Sequence, residues 1–201
     1  MFFSKTLDNP QLNISRVAVY VNNDINKKLR NDLMTDTFSS IWLEVGMPRQ
    51  KKILICMAYR EWQYMGQDDN SSGTINAQLT RWVEFLDQWE RALQEGKETI
   101  VCGDINLDFL TWTKQHAPNS QAAQLQPLCE LLFNKIFPLG ITQCVSEATR
   151  FWPGTDPSGL DHVYTNKPEK ISDIQVSFKG GSDHKLIFFT RFSKAQISKP
   201  K

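Results

Sequence analysis

Three polar segments in the second half of the chain carry side chains that could hydrolyse an ester. Asp104 and Asn106 follow an apolar run and lie two positions apart, so they share one side of an extended segment. A carboxylate and a carboxamide placed in this way can accept a proton from a water molecule and hold that water with a second hydrogen bond. Asp161 and the adjacent pair Asp183 and His184 complete the set.

His184 is the side chain best suited to act on a negatively charged oxygen near neutral pH. It can stabilise or protonate such an oxygen once a carboxylate orients its ring, and Asp161 and Asp183 are both candidates for that carboxylate. The remaining acids could bind a divalent cation that offsets phosphate charge. The alternative is structural: the Gly-Asp segments could be simple turns, and we interpret His162 and His116 as a half-buried strand residue and a solvated loop residue.

Apolar strands and amphipathic helices must hold these polar segments in place. A strand runs from Thr99 into Asp104, and similar patterns predict strands at 14–21, 38–45, 51–59, 160–165, 171–178 and 186–191. Apolar residues at steps of three and four predict helices over 74–95 and 125–137. The first three strands should form an antiparallel meander. Because loops at one edge of an α/β sheet meet in a single crevice, we expect the polar segments to converge.

The composition describes an ordinary globular protein. Of the 201 residues, 40% are hydrophobic and 22% charged, which suits one domain over 1–201, with an irregular lead-in at 1–13 and a frayed basic tail at 193–201. At a formal net charge of +1, a nucleic-acid binder must concentrate its Lys and Arg on one surface. We expect no membrane span and no signal peptide. Four widely spaced cysteines predict reduced thiols in an intracellular protein, either nuclear or cytoplasmic.

Several short segments, taken in order, resemble the signatures of the endonuclease/exonuclease/phosphatase superfamily. The three that carry this resemblance are 102–106, 158–162 and 181–184. Two more, 58–60 and 148–151, are most similar to the endonuclease domains of non-LTR (LINE-type) retrotransposons. The resemblance spans residues 14–192.

This resemblance implies a fold and an activity. The family fold is a four-layer α/β sandwich in which two face-to-face β-sheets are flanked by helices. Its members hydrolyse phosphodiester or phosphomonoester bonds with Mg²⁺, and Mn²⁺ is the alternative ion. The retrotransposon branch nicks target DNA to leave a 3′ hydroxyl that primes reverse transcription. The resemblance therefore implies DNA as the partner and a reverse transcriptase domain in the parent polyprotein.

The resemblance also implies a catalytic set. Asp104 would activate the attacking water, with Asn106 beside it. His184 would contact the scissile phosphate and Asp161 would orient His184. Asp183 would lie next to the metal and the phosphate, which makes it the metal-ligand candidate.

Four further residues match positions at which the family contacts its substrate. Tyr59 would contact the phosphate, although a Tyr at a strand end is more often a packing residue. Arg60, Thr149 and Arg150 fall where the retrotransposon branch touches DNA. Their alternative interpretation is as solvated surface residues.

The N-terminal region departs from the family pattern. Family members have two strands, carrying an Asn and the principal metal-binding Glu, before the strand that 17–20 resembles. Only sixteen residues precede Val17 and none of them is Glu, while Glu44 and Glu61 are not at matching positions. We therefore expect an N-terminally truncated fold that lacks its first strands, with poor metal affinity, impaired activity and an open sheet edge that invites self-association.

Two other functions remain compatible with the sequence. One is a non-catalytic nuclease remnant that binds nucleic acid, which the missing Glu favours. The other is a phosphomonoesterase of the same superfamily. That activity would need a basic pocket for a small head group, and no Lys/Arg cluster near the motifs indicates one.

Overall fold

A mixed six-stranded sheet lies at the centre of the fold and separates two clusters of buried side chains. The computed structural model describes residues 2–6, 15–46, 50–61, 72–113, 120–178 and 181–193. The strands are β1 (Phe2–Thr6), β2 (Ser15–Tyr20), β3 (Asn26–Leu29), β4 (Ser39–Gly46), β5 (Ile53–Tyr59), β6 (Thr99–Asp104), β7 (Thr142–Gln143), β8 (Asp161–Thr165), β9 (Ile171–Ser177) and β10 (Leu186–Arg191). The helices are α1 (Ser72–Gln94), α2 (Phe109–Thr113) and α3 (Ser120–Lys135), with short 3-10 helices at Asn31–Leu33, Phe137–Leu139 and Pro168–Lys170.

The order of the strands decides which loops meet. The central sheet runs β3-β4-β5-β6-β8-β7, and only β5 and β6 are parallel within it. A parallel pair needs a crossover connection, which α1 supplies. Because β8 is antiparallel to β6, the ends of β5 and β6 and the start of β8 lie at the same edge of the sheet.

Helices α1 and α3 cover one face of this sheet. Large side chains that α1 presents at helical spacing are fully buried there, as the sequence predicts for Trp82, Leu86 and Trp89, and Phe85 is buried beside them. Trp82 also donates a hydrogen bond from Nε1 to the carbonyl oxygen of Leu128 in α3, at 2.8 Å. Burial of such side chains contributes about 1.5–3 kcal/mol each, so this face anchors the fold.

Two hairpins cover the opposite face. β1 pairs with β2 and β9 pairs with β10, each pair antiparallel, and both hairpins pack apolar side chains onto the sheet. The contributing residues include Val17, Val19, Ile174, Val176 and Ile187. The predicted α/β fold with two facing β-layers is confirmed, and the second layer consists of these two hairpins in the part of the chain that is described.

Two predictions about the N-terminal region are wrong. The strand expected at 14–21 does not join the meander, because β2 pairs with β1 in the other layer and β3 takes the position beside β4. The lead-in expected to be irregular over 1–13 contains β1. A short strand held by backbone hydrogen bonds to its neighbour needs no alternating apolar pattern, so the sequence carried no signal for β1.

The other predicted strands and helices agree closely with the observed ones, whereas β3, β7 and α2 were not predicted. Among the predicted elements the main difference is α3, which begins at Ser120 rather than at residue 125, because its first turns lack an apolar period. All four cysteines are free thiols. None of the described helices is long and apolar enough to span a bilayer. The predicted frayed tail lies outside the described residues, except for its first residue.

Candidate active site

The ends of three neighbouring strands bring Tyr59, Asp104 and Asp161 side by side. Asp104 on β6 is paired in register with Tyr59 on β5 and with Asp161 on β8. Paired residues on adjacent strands point to the same face of a sheet. Because Ile100 and Cys102 of β6 pack toward the hairpins, alternation directs Asp104 and its two neighbours to that face as well.

His184 joins this row from the other layer. Isolated bridges pair Arg150 with His184 and with Ser158, so the histidine lies beside the segment that leads into β8. His184 Nδ1 lies 2.8 Å from Asp161 Oδ2. The possible ligand atoms of Asp104, Asp161 and His184 all lie within 4.8 Å of one another. The structure therefore brings together one residue from each of the three polar segments.

The environment of each group sets its protonation. Burial, followed by the negative charge of Asp161, raises the pKa of Asp104 to about 6. The hydrogen bond to Asp161 raises the pKa of His184, so the imidazole stays protonated to a higher pH than usual. Burial and the charge of Asp104 raise the pKa of Tyr59, which keeps its hydroxyl protonated as a donor. A base with a pKa near neutral and two proton donors thus face one another.

Asp183 lies beside the site but outside the three-residue cluster. Its Oδ2 accepts a hydrogen bond from Arg150 Nε at 2.8 Å, and this bond lowers the pKa of Asp183. Asp183 is the metal-ligand candidate that the resemblance implies, and in the structure its carboxylate is paired with the guanidinium of Arg150. Arg150 stays partly exposed, with 39% of its side chain accessible, and its guanidinium lies 5.9 Å from the ring of Trp152.

Asn106 shapes the turn after β6. Its backbone is left-handed, with φ of 52°, a conformation that Asn tolerates better than most residues. Its backbone N–H donates to Asp104 Oδ1 at 3.0 Å, and its Nδ2 donates to the carbonyl oxygen of Arg60 at 2.7 Å. The amide nitrogen of Asn106 is therefore engaged within the protein, next to Asp104.

Arg60 is not on the surface, which corrects the prediction that it contacts DNA. Only 3% of the residue is exposed, and its guanidinium binds the carbonyl oxygens of Ile105 and Asn106. Alternation along β5 explains this placement. Tyr59 points toward the hairpins, so Arg60 points toward the helices and is covered.

Thr149 is also internal, which corrects its predicted role in the same way. Its side chain is fully buried, and Oγ1 accepts hydrogen bonds from the backbone N–H groups of Leu160 (3.1 Å) and Asp161 (3.0 Å). Thr149 therefore holds the start of β8, and Asp161 with it. These contacts join segments that are apart in sequence, so the local sequence gave no indication of them.

A partly exposed group of aromatic and cationic side chains beside the site was not predicted. Lys185 Nζ lies 3.8 Å from the ring centre of Phe151 and 4.1 Å from that of Phe178. Trp152 and Phe178 are 55% and 66% exposed. The local sequence did not mark this group, because it joins residues from three separate segments of the chain.

The cluster has the donors that a hard divalent cation prefers. Carboxylate oxygens of Asp104 and Asp161 face one another, and the charge of Asp161 opposes ionisation of Asp104. A divalent cation would offset that repulsion, so these residues fit Mg²⁺. Among the described residues the cluster contains no glutamate. Glu61 lies near Tyr59, but its carboxylate forms ion pairs with Arg16 at 3.2 Å and Arg81 at 3.5 Å.

The part of the chain that carries the site matches a protein-family model. The model is described as endonuclease-reverse transcriptase and matches residues 53–188, which include all three polar segments. This chain belongs to the endonuclease-reverse transcriptase family. The family lies within the endonuclease/exonuclease/phosphatase superfamily, so the resemblance read from the motifs is confirmed.

Several solved structures have the same fold as this chain. The endonuclease domain of TRAS1, a telomere-specific non-LTR retrotransposon, is 17% identical with a TM-score of 0.63, and the match covers 96% of this chain and 79% of that one. The 3′ phosphatase NExo from Neisseria, bound to a product DNA hairpin, is 14% identical with a TM-score of 0.53, covering 87% and 72% of the two chains. At these identities the likeness shows the fold alone. No curated protein matches the sequence significantly.

Proposed function

We propose that this chain is a metal-dependent endonuclease domain that nicks DNA as part of a retrotransposon polyprotein. The observation that carries the proposal is the cluster of Asp104, Asp161 and His184, with ligand atoms within 4.8 Å of one another, in a member of the endonuclease-reverse transcriptase family. The likeness to the TRAS1 endonuclease domain supports it. A reverse transcriptase domain elsewhere in the parent polyprotein belongs to the same proposal.

The residues divide the reaction between them. Asp104 takes a proton from water as the water oxygen bonds to phosphorus, and His184, held protonated by Asp161, stabilises the charge that grows on the phosphate oxygens. The bond from phosphorus to the 3′ oxygen breaks, and that oxygen takes a proton from solvent to become the 3′ hydroxyl. Tyr59 donates a hydrogen bond to the same phosphate. Asp104 and Asp161 would hold Mg²⁺, or Mn²⁺ as the alternative ion, which neutralises phosphate charge when bound. A neighbouring cation favours the ionised carboxylate, so Asp104 would remain a base at neutral pH.

DNA would approach over the partly exposed cations beside the site. Arg150 is the one residue of the predicted DNA-binding set that is partly exposed, and Lys185, also partly exposed, follows His184 in the chain. A DNA phosphate would compete with Asp183 for the Arg150 guanidinium. Bidentate contacts of this kind fix the position of the backbone rather than its sequence.

Nicking of supercoiled plasmid with Mg²⁺ tests the proposal. We expect the wild-type protein to convert plasmid to the open-circular form, and Asp104→Asn and His184→Gln each to slow nicking at least about 100-fold. Asp24→Asn, which removes one acid from an exposed turn between β2 and β3, should nick like wild type. Equal rates for wild type and Asp104→Asn would overturn the proposal.

A nucleic-acid-binding domain without catalysis is the second candidate. It is favoured by the absence of a glutamate from the cluster in the described ranges, which also supports weak metal binding and impaired activity. Calorimetric titration with Mg²⁺ and then with a DNA duplex separates the two. DNA binding without metal binding or nicking would favour this candidate. Phosphate release from a 3′-phosphorylated oligonucleotide would instead favour the phosphomonoesterase alternative.

Self-association is a further part of the proposal. In the described ranges, the hairpins β1–β2 and β9–β10 pair with no third strand, so each leaves strand edges open. Open edges are templates for pairing with a second chain. Sedimentation velocity over a range of protein concentrations would detect such dimers, and a single monomer species at all concentrations would exclude them.

A further inference from the structure

The guanidinium of Arg60 is an internal cation with an unusual set of partners. Its Nε donates to the carbonyl oxygen of Ile105 at 2.6 Å, and its Nη2 donates to that of Asn106 at 2.5 Å. Its Nη1 donates to Gln78 Oε1 at 2.9 Å and to the carbonyl oxygen of Glu61 at 3.3 Å. None of these acceptors is a carboxylate. Burial of a charge is costly unless hydrogen bonds compensate for it, and here backbone carbonyl oxygens and one side-chain amide supply those bonds.

The backbone of Arg60 binds the same turn. Its N–H donates to the carbonyl oxygen of Asp104 at 2.9 Å, and its own carbonyl oxygen accepts from Asn106 Nδ2 at 2.7 Å. Together with the two guanidinium contacts, Arg60 makes four hydrogen bonds to residues 104–106. One residue at the end of β5 thus holds every residue of the turn that follows β6.

This turn positions the catalytic carboxylate. Asn106 is held in the left-handed region, and its N–H is the donor to Asp104 Oδ1 at 3.0 Å. If Asn106 relaxed to an ordinary φ, that donor would turn away and the carboxylate would lose its orientation. Arg60 lies on the helix side of the sheet, and Asp104 faces the hairpin side, so the Arg60 guanidinium holds Asp104 in place through the backbone of the turn. Its positive charge also lowers the pKa of Asp104 and so opposes part of the effect of burial.

We propose that Arg60 is a positioning residue, which holds Asp104 in place through the turn 104–106 and does not contact DNA. The consequence for catalysis rests on the proposed function. The role of Arg60 in holding the turn 104–106 does not rest on the proposed function, because it follows from the hydrogen bonds alone.

Two substitutions separate the positioning role from a DNA contact. Arg60→Met removes all guanidinium donors, and Arg60→Lys keeps the charge with a single donor group. The control is Arg91→Met, because Arg91 is exposed in the last turn of α1, at the opposite end of that helix from Gln78. The measurements are kcat and KM for nicking of a labelled duplex, together with the Kd of that duplex by fluorescence anisotropy over a range of salt concentrations.

We expect Arg60→Met to lower kcat by about 100-fold, the loss typical of a misplaced catalytic group, with Kd changed by less than about twofold. Arg60→Lys should recover about a tenth of the lost rate or more, because one amine can serve one of the carbonyl oxygens. Arg91→Met should leave kcat unchanged. The proposal would be overturned by an unchanged kcat combined with a weaker Kd and a salt slope reduced by about one, which is the signature of a lost phosphate contact.

Amide hydrogen exchange distinguishes failure of this proposal from failure of the proposed function. In Arg60→Lys the amides of Asn106 and of residue 60 should exchange at least about tenfold faster, while those in the middle of α1 stay protected. If exchange is faster in the variant but the wild-type protein does not nick DNA, the positioning role of Arg60 stands and the proposed endonuclease function is wrong. Unchanged exchange at Asn106 would overturn the positioning role. If Arg60→Met does not fold, Gln78→Ala, which removes one acceptor from the guanidinium, gives a milder test of the same contacts.

Discussion

His162 makes folding of this protein sensitive to acid. It follows Asp161 on β8 but points to the opposite face, where the ring is fully buried. Nε2 lies 2.8 Å from the carbonyl oxygen of Gly159, and Nδ1 lies 2.6 Å from the hydroxyl of Tyr164. Since a carbonyl can only accept, Nε2 carries the hydrogen, and in the neutral ring Nδ1 accepts a hydrogen bond from the hydroxyl. Burial of the ring favours this neutral form in the folded protein.

The size of the effect follows from the pKa of the buried ring. Burial lowers the pKa of His162 from 6.5 to about 4. Between these values the unfolded chain binds a proton that the folded chain does not, so the free energy of unfolding falls as pH falls. Above pH 6.5 the ring is neutral in both states, so no stability is lost through His162 there. A pKa difference of about 2.5, at about 1.4 kcal/mol each, amounts to about 3 kcal/mol once the pH is below both values.

Urea unfolding of wild type and His162→Gln, followed by tryptophan fluorescence in EDTA, measures this contribution. The glutamine amide could keep both hydrogen bonds but cannot titrate. Between about pH 7 and about pH 4.5, wild type should lose about 2 kcal/mol more stability than the variant. The pKa values of Asp104 and His184 are also raised, but both proteins contain these groups, so their contributions cancel in the comparison.

Parallel stability curves for the two proteins would refute the reasoning. They would mean that the ring is protonated in the folded state at little cost, or that water reaches it. A variant that is less stable at every pH but has the same slope would show a packing role without linkage to the proton. Only a difference in slope supports the buried neutral histidine.

The backbone at Gly103 and the hydroxyl of Thr149 give two further predictions. Gly103 has φ of 140°, and a Cβ there would collide with the carbonyl group of Ala58 on β5. Gly103→Ala should cost at least about 3 kcal/mol in urea unfolding, whereas Gly96→Ala, at φ of 66° with open space around it, should cost only about 1 kcal/mol. Equal losses would show that the sheet can shift to accept the methyl group. Thr149→Val leaves the N–H groups at the start of β8 without their acceptor and should cost about 2 kcal/mol or more, while Thr149→Ser should restore most of the loss because it keeps the oxygen. A Val variant as stable as wild type would show that water replaces the hydroxyl.

The sequence by itself determined the local structure and the types of chemistry available. Apolar spacing predicted α1 and the strands of the central sheet, because burial of apolar side chains drives folding and its period records which face is covered. The order of the segments around Asp104, Asp161 and His184 was enough to predict the family and the fold, which the family match and the structure confirm. The helices, the strands and each motif depend on residues that are close together in the chain, and the order of the motifs can be read directly from the sequence.

The tertiary structure alone decided which polar side chains are internal. Arg60 and Arg150 look alike in the sequence, yet only Arg60 is buried, against carbonyl oxygens of a turn 45 residues away. Asp183 and Asp161 both lie near a histidine, yet Asp161 binds His184 while Asp183 binds Arg150. Hydrogen-bond partners and burial depend on segments that meet only when the sheet forms and α1 packs across it. The residue types therefore specified the chemistry that is available, and long-range packing decided which of these residues meet in one cluster, which are buried and which stay near the surface.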